Sequence, residues 1–159
     1  MPPFLDTFKR RLFWVVSRVC FPAYHYFPVF GTLRASVGII QREDKFLVIH
    51  RNDGRGLSLP GGISGWREAP EETLRREIAE ETGLSVTAQE LKVEYYSDAE
   101  VPCNLSVFEV TASGDLKDSW EGSPRWTTVA ELETNMLPGQ RPVLRLLRGM
   151  TNGSSGQKK

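Results

Sequence analysis

Residues 62–84 read GISGWREAPEETLRREIAEETGL, and this stretch decides the fold that we expect. Its polar residues follow a fixed spacing. A glycine is followed after five residues by a glutamate, and after seven more by Arg-Glu, two further glutamates and a glycine. The positions in question are Gly62, Glu68, Arg76, Glu77, Glu80, Glu81 and Gly83. A glycine loop followed by closely spaced acids predicts a helix that directs carboxylates toward one site.

The residues that flank the acids predict a helix from Pro70 to Thr82. Pro70 suits the first turn, where its missing N–H would have no partner, and the two glutamates after it favour the positive end of the helix dipole. Gly83 suits the left-handed residue that ends many helices. The preceding residues 59–62, Leu-Pro-Gly-Gly, predict a turn, because glycine adopts backbone angles that other residues avoid.

Three acids of this helix are predicted to share one face. At about 100° per residue, Glu77, Glu80 and Glu81 fall within a wedge about 100° wide. Leu74 and Ile78 lie beside that wedge, so the acids flank the apolar stripe that packs on the rest of the domain. Crowded carboxylates repel one another and lose solvation, and a bound cation relieves both problems. Hard oxygen ligands prefer magnesium or manganese to zinc, so we expect Mg²⁺ or Mn²⁺.

The whole pattern resembles the signature motif of the Nudix hydrolases, and each fixed position is filled. That family cleaves a diphosphate linkage in a nucleoside diphosphate joined to another group, with a divalent metal. The resemblance implies that the metal is held by Gly61, Glu68, Glu77, Glu80 and Glu81. Glu68 is alternatively a partner of Arg76, which lies one turn before Glu80 and can orient a carboxylate.

The group that activates the attacking water is left open, because the family varies at this step. Glu121, five residues before Trp126, is one candidate outside the motif, and an exposed loop acid is the other interpretation of it. A solvated helix with pairs such as Glu72–Arg76 would explain the outer helix face but not the acids beside the apolar stripe. The expected catalytic residues are Glu77, Glu80, Glu81, Arg76 and Glu121.

Length and composition favour one soluble globular domain of 159 residues, with 40% apolar and 25% charged residues. The net charge is zero, so we expect no nucleic-acid partner and rank RNA cap removal low.

The chain has only two cysteines, Cys20 and Cys103, which excludes a disulfide framework, although a single disulfide stays open. Reduced thiols in a cytoplasmic protein are the simpler expectation. His25 and His50 are isolated, and we assign neither to catalysis.

The order of elements predicts an α/β fold with a mixed sheet between helices, which the resemblance implies is the Nudix α/β/α sandwich. The predicted strands cover 35–40, 45–50, 57–59, 91–96, 105–111 and 124–127, with a hairpin turn at 42–44. Further helices are predicted at 128–132 and 141–148. We divide the chain into an N-terminal extension (1–33), the Nudix domain (34–150) and a disordered Gly/Ser-rich tail (151–159).

The N-terminal extension predicts an additional amphipathic helix that ends at Pro22. Apolar residues recur every three or four positions, at Leu5, Phe8, Leu12, Val15 and Val19. Basic residues outnumber acids there by four to one: Lys9, Arg10, Arg11 and Arg18 against Asp6. The helix packs on the sandwich or on a second subunit of a homodimer, or lies peripherally on an anionic membrane, or belongs to a signal or anchor. The apolar stretch 12–21 is too short to span a bilayer and contains Arg18.

The leading functional hypothesis is a pyrophosphohydrolase that acts on nucleoside triphosphates, ADP-ribose or nucleotide-sugars. Selectivity would lie outside the motif, where several side chains could stack on a base or clamp it, or simply pack: Trp66, Tyr95, Tyr96, Trp120 and Arg125. The alternative is a catalytically silent Nudix-like module that binds a nucleotide or a protein. Such modules generally lose an acid of the motif, and this chain keeps all of them.

Overall fold

A computed structural model of the protein describes residues 11–12, 14–27 and 31–154. The described strands are β1 (Leu33–Ile39), β2 (Gln41–Arg42), β3 (Lys45–Arg51), β4 (Leu57–Ser58), β5 (Gly61–Ile63), β6 (Ser85–Ser97), β7 (Cys103–Ser113) and β8 (Gly122–Thr127). The described α-helices are α1 (Phe21–Tyr26), α2 (Pro70–Thr82), α3 (Val129–Asn135) and α4 (Leu144–Ser154). A π-helical turn (Val16–Cys20) precedes α1, and a 3₁₀ helix (Pro138–Val143) precedes α4.

The first sheet has the order β5-β1-β7-β6 and is mixed, as the sequence predicts. β1 runs parallel to β7, whereas β5 and β6 are antiparallel to their neighbours. Val37 on β1 lies opposite Gly61 on one side and Val107 on the other. The short strand that opens the acidic motif is therefore hydrogen-bonded directly to the central part of this sheet.

The second sheet is antiparallel and is centred on β3, which pairs with β2, β4 and β8. The predicted turn at 42–44 exists, but it joins β2 to β3 and not the first long strand to the second. The chain leaves the first sheet after Ile39, and the Ile40 carbonyl already accepts a hydrogen bond from Leu47 N at 2.9 Å. One apolar run in the sequence thus supplies strands to two sheets.

Helix α2 covers one face of the first sheet. Its apolar side chains Leu74 and Ile78 are fully buried against this sheet, together with Phe108 of β7. Gly38 of β1 allows the close contact, because a Cβ there would lie 2.9 Å from Ile78 Cδ1. Burial of each large side chain contributes about 1.5–3 kcal/mol, so this contact fixes the helix on the sheet.

The opposite face of the first sheet meets the second sheet and the C-terminal helices. Val37 and Leu105 of the first sheet share one buried cluster with Phe46 of β3, Leu132 of α3 and Leu147 of α4. Because neighbouring residues of a strand point to opposite faces, Val37 and Gly38 serve the two cores. Helices therefore lie on both sides of the sheets, and the predicted α/β/α arrangement is confirmed.

The prediction that the N-terminal helix ends at Pro22 is wrong. The π-helical turn continues into α1, in which Pro22 occupies the first turn, where proline is tolerated. The apolar positions Leu12, Val15 and Val19 are 52%, 43% and 56% exposed. Leu5 and Phe8 lie outside the described residues. Arg18 donates from Nε and Nη2 to the backbone oxygen of Asp53, at 3.2 and 3.1 Å.

Two further boundaries differ from the sequence prediction. Strand β6 is continuous over residues 85–97, whereas the sequence predicts a strand only at 91–96. Register shifts next to Val86 and Leu91 interrupt the alternation by which a strand is recognised in sequence. Helix α4 continues to Ser154, so helical structure replaces the first part of the predicted disordered tail. Among the described residues, no helix is both long and apolar enough to cross a membrane.

The packing of α2 predicts a large cost for shortening Leu74. Leu74→Ala should lower the free energy of unfolding by about 2–5 kcal/mol in urea or guanidinium titrations, because a fully buried side chain leaves a cavity. Leu91→Ala is the matched control, since Leu91 is 46% exposed, and it should cost less than about 1 kcal/mol. Equal losses in the two variants would contradict this description of the core.

Candidate active site

Helix α2 directs two of its acids inward, toward the glycine loop. Glu81 is 2% exposed and Glu77 is 8% exposed, so both carboxylates are largely removed from water. The backbone N–H of Gly61 donates to Glu81 Oε2 at 2.8 Å. The helix limits predicted from sequence, Pro70 and Thr82, are confirmed, and Gly83 adopts the expected left-handed conformation with φ of 76°.

The two glycines of the loop are required by close contacts. Gly61 has φ of +146°, and a Cβ on it would lie 2.1 Å from the backbone oxygen of Ser36. A Cβ on Gly62 would lie 2.5 Å from the carboxylate carbon of Glu77. Any larger residue at either position would push the loop away from the sheet or from the acids.

Arg76 contacts three of the acids in the motif. It donates to Glu68 Oε1 at 2.9 Å and to Glu77 Oε1 at 2.7 Å, and it lies 3.6 Å from Glu80 Oε2. The hydrogen bond from Arg76, followed by that from the Gly65 backbone, lowers the pKa of Glu68 to about 2. Glu68 in turn raises the pKa of Arg76. Arg76 therefore holds Glu68 ionised and fixes the carboxylate of Glu77.

Glu121 lies next to the buried end of this cluster. It precedes β8 in the second sheet, and its backbone oxygen accepts a hydrogen bond from Asn52 N at 2.8 Å. Burial, followed by the charge of Glu77, raises the pKa of Glu121 to about 7. Burial, followed by the charge of Glu121, raises the pKa of Glu81 well above its usual range. Two carboxyl groups so close share protons, so they titrate as a pair.

Glu80 departs from the predicted inward wedge. Its side chain is 59% exposed and its contact with Arg76 is long, so it lies at the rim of the cluster. Glu77 and Glu81 are one helical turn apart and face the sheet, whereas Glu80 is turned toward solvent. The structure thus brings together Glu77, Glu81 and Glu121, links Glu68 to them through Arg76, and leaves Glu80 at the edge.

The donor chemistry of this cluster fits a hard divalent cation. In the described part of the chain, no three Asp, Glu, His or Cys side chains already converge as a set of metal ligands. The acids are held instead by Arg76 and by the Gly61 N–H. Their oxygens are nevertheless those that Mg²⁺ and Mn²⁺ prefer, and the raised pKa of Glu77 and Glu81 shows the electrostatic cost that a cation would relieve.

A cavity of about 280 Å³ begins at these acids and runs between the sheets. Glu77, Glu121, Gly61 and Gly62 lie at its acidic end. The lining also includes residues that the sequence analysis did not single out: Arg51, Arg55, Ser97, Glu100 and Gln140. No sequence motif indicates them, because they come from separate strands, loops and a 3₁₀ helix that only the fold brings together.

The side chains suggested for base stacking lie elsewhere. Trp66, Tyr95, Tyr96, Trp120 and Arg125 are all outside the lining of this cavity. Trp66 is 91% exposed, and Arg125 pairs with Glu131 on the surface. Tyr95 acts on the cavity only indirectly. Its hydroxyl donates to the backbone oxygen of Gly139, which lines the cavity, at 2.9 Å.

Arg51 provides positive charge beside the buried acids. Its guanidinium donates to both carboxylate oxygens of Asp53, at distances between 2.5 and 3.1 Å, and Asp53 is only 2% exposed. The charge of Arg51 opposes the rise in pKa of both Glu81 and Glu121. The buried pair therefore holds a cation at the cavity wall, where it can also face an anionic ligand.

Comparisons with known proteins agree with this geometry. A profile of the NUDIX domain matches residues 32–147. A MutT-like protein from Streptomyces ambofaciens is 34% identical over 102 residues, which are 62% of this chain. The match spans 66% of that relative, slightly less than two thirds of its length.

Solved structures show the same fold. The MutT protein of Bacillus halodurans is 28% identical with a TM-score of 0.61, covering 72% of this chain and 82% of that one. The E. coli ORF135 protein has a TM-score of 0.65 at 23% identity, covering 76% of this chain and 91% of that one. The family profile covers most of the domain that contains the acidic cluster. The chain therefore belongs to the NUDIX domain family.

The shared carboxyl pair predicts a pH dependence of stability. In the folded protein the pKa of Glu121 is raised to about 7, whereas the ordinary pKa of a glutamate is 4.5. The folded state then binds more protons between these values, so this group destabilises the protein as pH rises through that window. Glu121→Gln should stabilise the metal-free protein at pH 8 by up to about 3 kcal/mol, and by much less at pH 4.

Chemical denaturation from pH 4 to pH 8, with a chelator present to keep the protein metal-free, measures the difference in stability between wild type and Glu121→Gln. Glu133→Gln serves as the control, because Glu133 is an exposed acid paired with Arg148. It should leave the pH dependence unchanged. If the difference between wild type and Glu121→Gln grows toward low pH instead, the assignment of a raised pKa is wrong.

Proposed function

We propose that the protein is a metal-dependent hydrolase that cleaves the diphosphate linkage of a nucleoside diphosphate derivative. The candidate substrates are nucleoside triphosphates, ADP-ribose and nucleotide-sugars. One observation carries the proposal: Glu77 and Glu121 line a cavity large enough for a small organic group, and the buried carboxyl group of Glu81 lies next to Glu121. Glycine backbone lies directly beside them.

The proposed metal ligands are the Gly61 backbone with Glu68, Glu77, Glu80 and Glu81. When bound, Mg²⁺ or Mn²⁺ would neutralise charge on the diphosphate oxygens. Arg76 positions Glu68 and Glu77, because its planar guanidinium contacts both at once. The Gly61 N–H positions Glu81 in the same way. The hydrogen bonds from Arg76 and from the Gly61 N–H thus limit the movement of the carboxylates that would hold the metal.

Glu121 is the proposed general base. It would accept a proton from a water molecule whose oxygen forms a bond to phosphorus, while the bridging P–O bond breaks and its electrons leave with the departing phosphate. Glu121 lies at the cavity wall among the acids, which is where such a water must approach. A pKa of about 7 lets a large share of the protein carry the ionised base near neutral pH.

The alternative is a silent module that binds a nucleotide or a protein partner. The presence of each motif acid, together with the burial of Glu77 and Glu81, favours the enzyme. Burying carboxylates is costly, and a module that only binds would gain nothing from keeping them. The similarity to proteins named MutT and MutT-like supports the same choice.

The N-terminal segment supports a second proposal, which concerns location. Leu12, Trp14, Val15 and Val19 are each more than two-fifths exposed, and Arg11 lies among them. Apolar and basic residues on one helical segment suit an anionic membrane surface, so we propose peripheral membrane contact. A homodimer and a cytoplasmic location stay predictions from the sequence.

The site assignment predicts a severe loss in Glu81→Gln. Hydrolysis should fall by about a hundredfold or more, because a ligand of the metal is removed while the side-chain oxygen that accepts from Gly61 N is kept. The assay offers nucleoside triphosphates, ADP-ribose and nucleotide-sugars with Mg²⁺ or Mn²⁺. Comparable turnover by both proteins would reject the site, and no turnover of any compound would favour the binding module.

The exposed N-terminal residues predict binding to lipid. The full chain should co-sediment with vesicles that contain anionic phospholipid, and much less with neutral vesicles. Replacing both Leu12 and Trp14 by Glu should abolish most of the binding, whereas Leu91→Glu, at an exposed position of strand β6, should not. Absence of binding by the unmodified chain would remove the proposal of membrane contact.

A further inference from the structure

The lining of the cavity also carries polar groups that the proposed hydrolysis does not use. Ser97 and Glu100 come from the end of β6 and the loop after it, and Gly139 and Gln140 come from the 3₁₀ helix. A Cβ on Gly139 would lie 3.0 Å from Glu100 Oε2 and 3.7 Å from Ser97 Oγ. Two segments far apart in sequence therefore form one small polar cluster.

Glu100 offers one carboxylate oxygen to the cavity. Its Oε1 accepts from Arg55 Nη2, in a pair whose side chains are 20% and 17% exposed for Arg55 and Glu100. No partner for Oε2 is found within the described residues. Burial and the charge of Glu100 raise the pKa of the neighbouring Cys103 thiol to about 11, so this negative charge acts inside the cavity. Arg55 thus fixes the carboxylate and leaves one acceptor available.

Gln140 offers the complementary donor. Its Oε1 accepts from the backbone N–H of Leu59 at 2.8 Å. Since the amide is planar, Nε2 points away from that bond, and the described part of the chain supplies it with no acceptor. The backbone here is also held, because Gln140 N donates to the Leu137 oxygen and Tyr95 donates to the Gly139 oxygen. The orientation of the donor is therefore set before a ligand arrives.

Apolar side chains form another part of the cavity wall. Ala35, Val37, Val101, Leu105 and Leu137 line this part. A flat ring would exchange water for these walls, which favours an aromatic group over a heavily hydroxylated sugar. A ring placed against these walls would lie in the same cavity as Glu100 and Gln140, with the acids left to hold its diphosphate.

We propose that Glu100 and Gln140 are specificity-determining residues that select a nucleobase with a carbonyl oxygen next to a ring N–H, as in guanine, hypoxanthine or uracil. Gln140 donates to the carbonyl, and Glu100 accepts from the ring N–H. Adenine and cytosine offer Glu100 only an amino N–H, which is a weaker donor to a carboxylate. The inference rests on the proposed function, since it names the substrate class of the same cavity.

The test compares kcat/KM for GTP, ITP and UTP with that for ATP and CTP, in Mg²⁺. The wild type should favour GTP, ITP and UTP by about tenfold or more. With ATP or CTP bound, the acceptor of Glu100 and the donor of Gln140 would be buried without partners, which weakens binding. Glu100→Gln and Gln140→Glu should each reduce this ratio by about tenfold. Glu133→Gln, which alters a surface pair of an acid with Arg148, should leave the ratio unchanged.

Calorimetric measurement of binding, with GMP and UMP compared with AMP and CMP, separates the proposal of base selection from the proposal of hydrolysis. A preference in binding without hydrolysis of any triphosphate would keep the base assignment and overturn the proposed hydrolysis. Hydrolysis of all five triphosphates at equal efficiency, or a preference for ATP or CTP, would overturn the base assignment alone. If Glu100→Gln fails to fold because Arg55 loses its partner, Gln140→Glu decides, since it keeps the acceptor for Leu59 N.

Discussion

The hydrogen bond from the Gly61 N–H to Glu81 joins the two parts of the motif, and the rest of the site depends on it. Gly61 belongs to β5, which is paired with the centre of the first sheet, and Glu81 lies near the end of α2. The contact exists only because the glycines leave room for the carboxylates and Gly38 leaves room for Ile78. Small residues in the sheet thus place a helical acid against strand backbone.

Burial of these acids opposes stability while it prepares the chemistry. Desolvation disfavours the ionised form of Glu77, Glu81 and Glu121, as their raised pKa values show. The fully buried Leu74 and Ile78, on the same helix, contribute in the opposite direction. The helix therefore holds carboxylates where they would not stay by themselves, and a cation or a proton compensates part of the cost.

The helix and its acids could be predicted because each depends on local signals. The limits of α2 follow from Pro70 at its start and Gly83 after its end. The 3.6-residue period places Glu77 and Glu81 beside Leu74 and Ile78, and their burial follows from that position. Glu80 is a partial exception, since a wheel places it in the wedge but does not show where the protein surface begins.

The polar residues that line the cavity outside the motif could not be predicted in this way. Arg55 and Glu100 meet across 45 positions of sequence, and nothing near either residue indicates the partner. The same reason hides Gln140, whose amide is oriented by Leu59 N, 81 positions away. The bulges of β6 and the helical turn through Pro22 were missed because local rules allow more than one outcome there.

Glu121 reaches the acids from the second sheet, and this origin has a consequence for the chain during its synthesis. Residues 62–84 leave the ribosome well before residue 121, so a nascent chain can carry the complete motif without the carboxyl group that lies beside Glu81. Nor would a proteolytic fragment that ended before β8 contain it. The acidic cluster around Glu81 is therefore complete only after the second sheet has been synthesised.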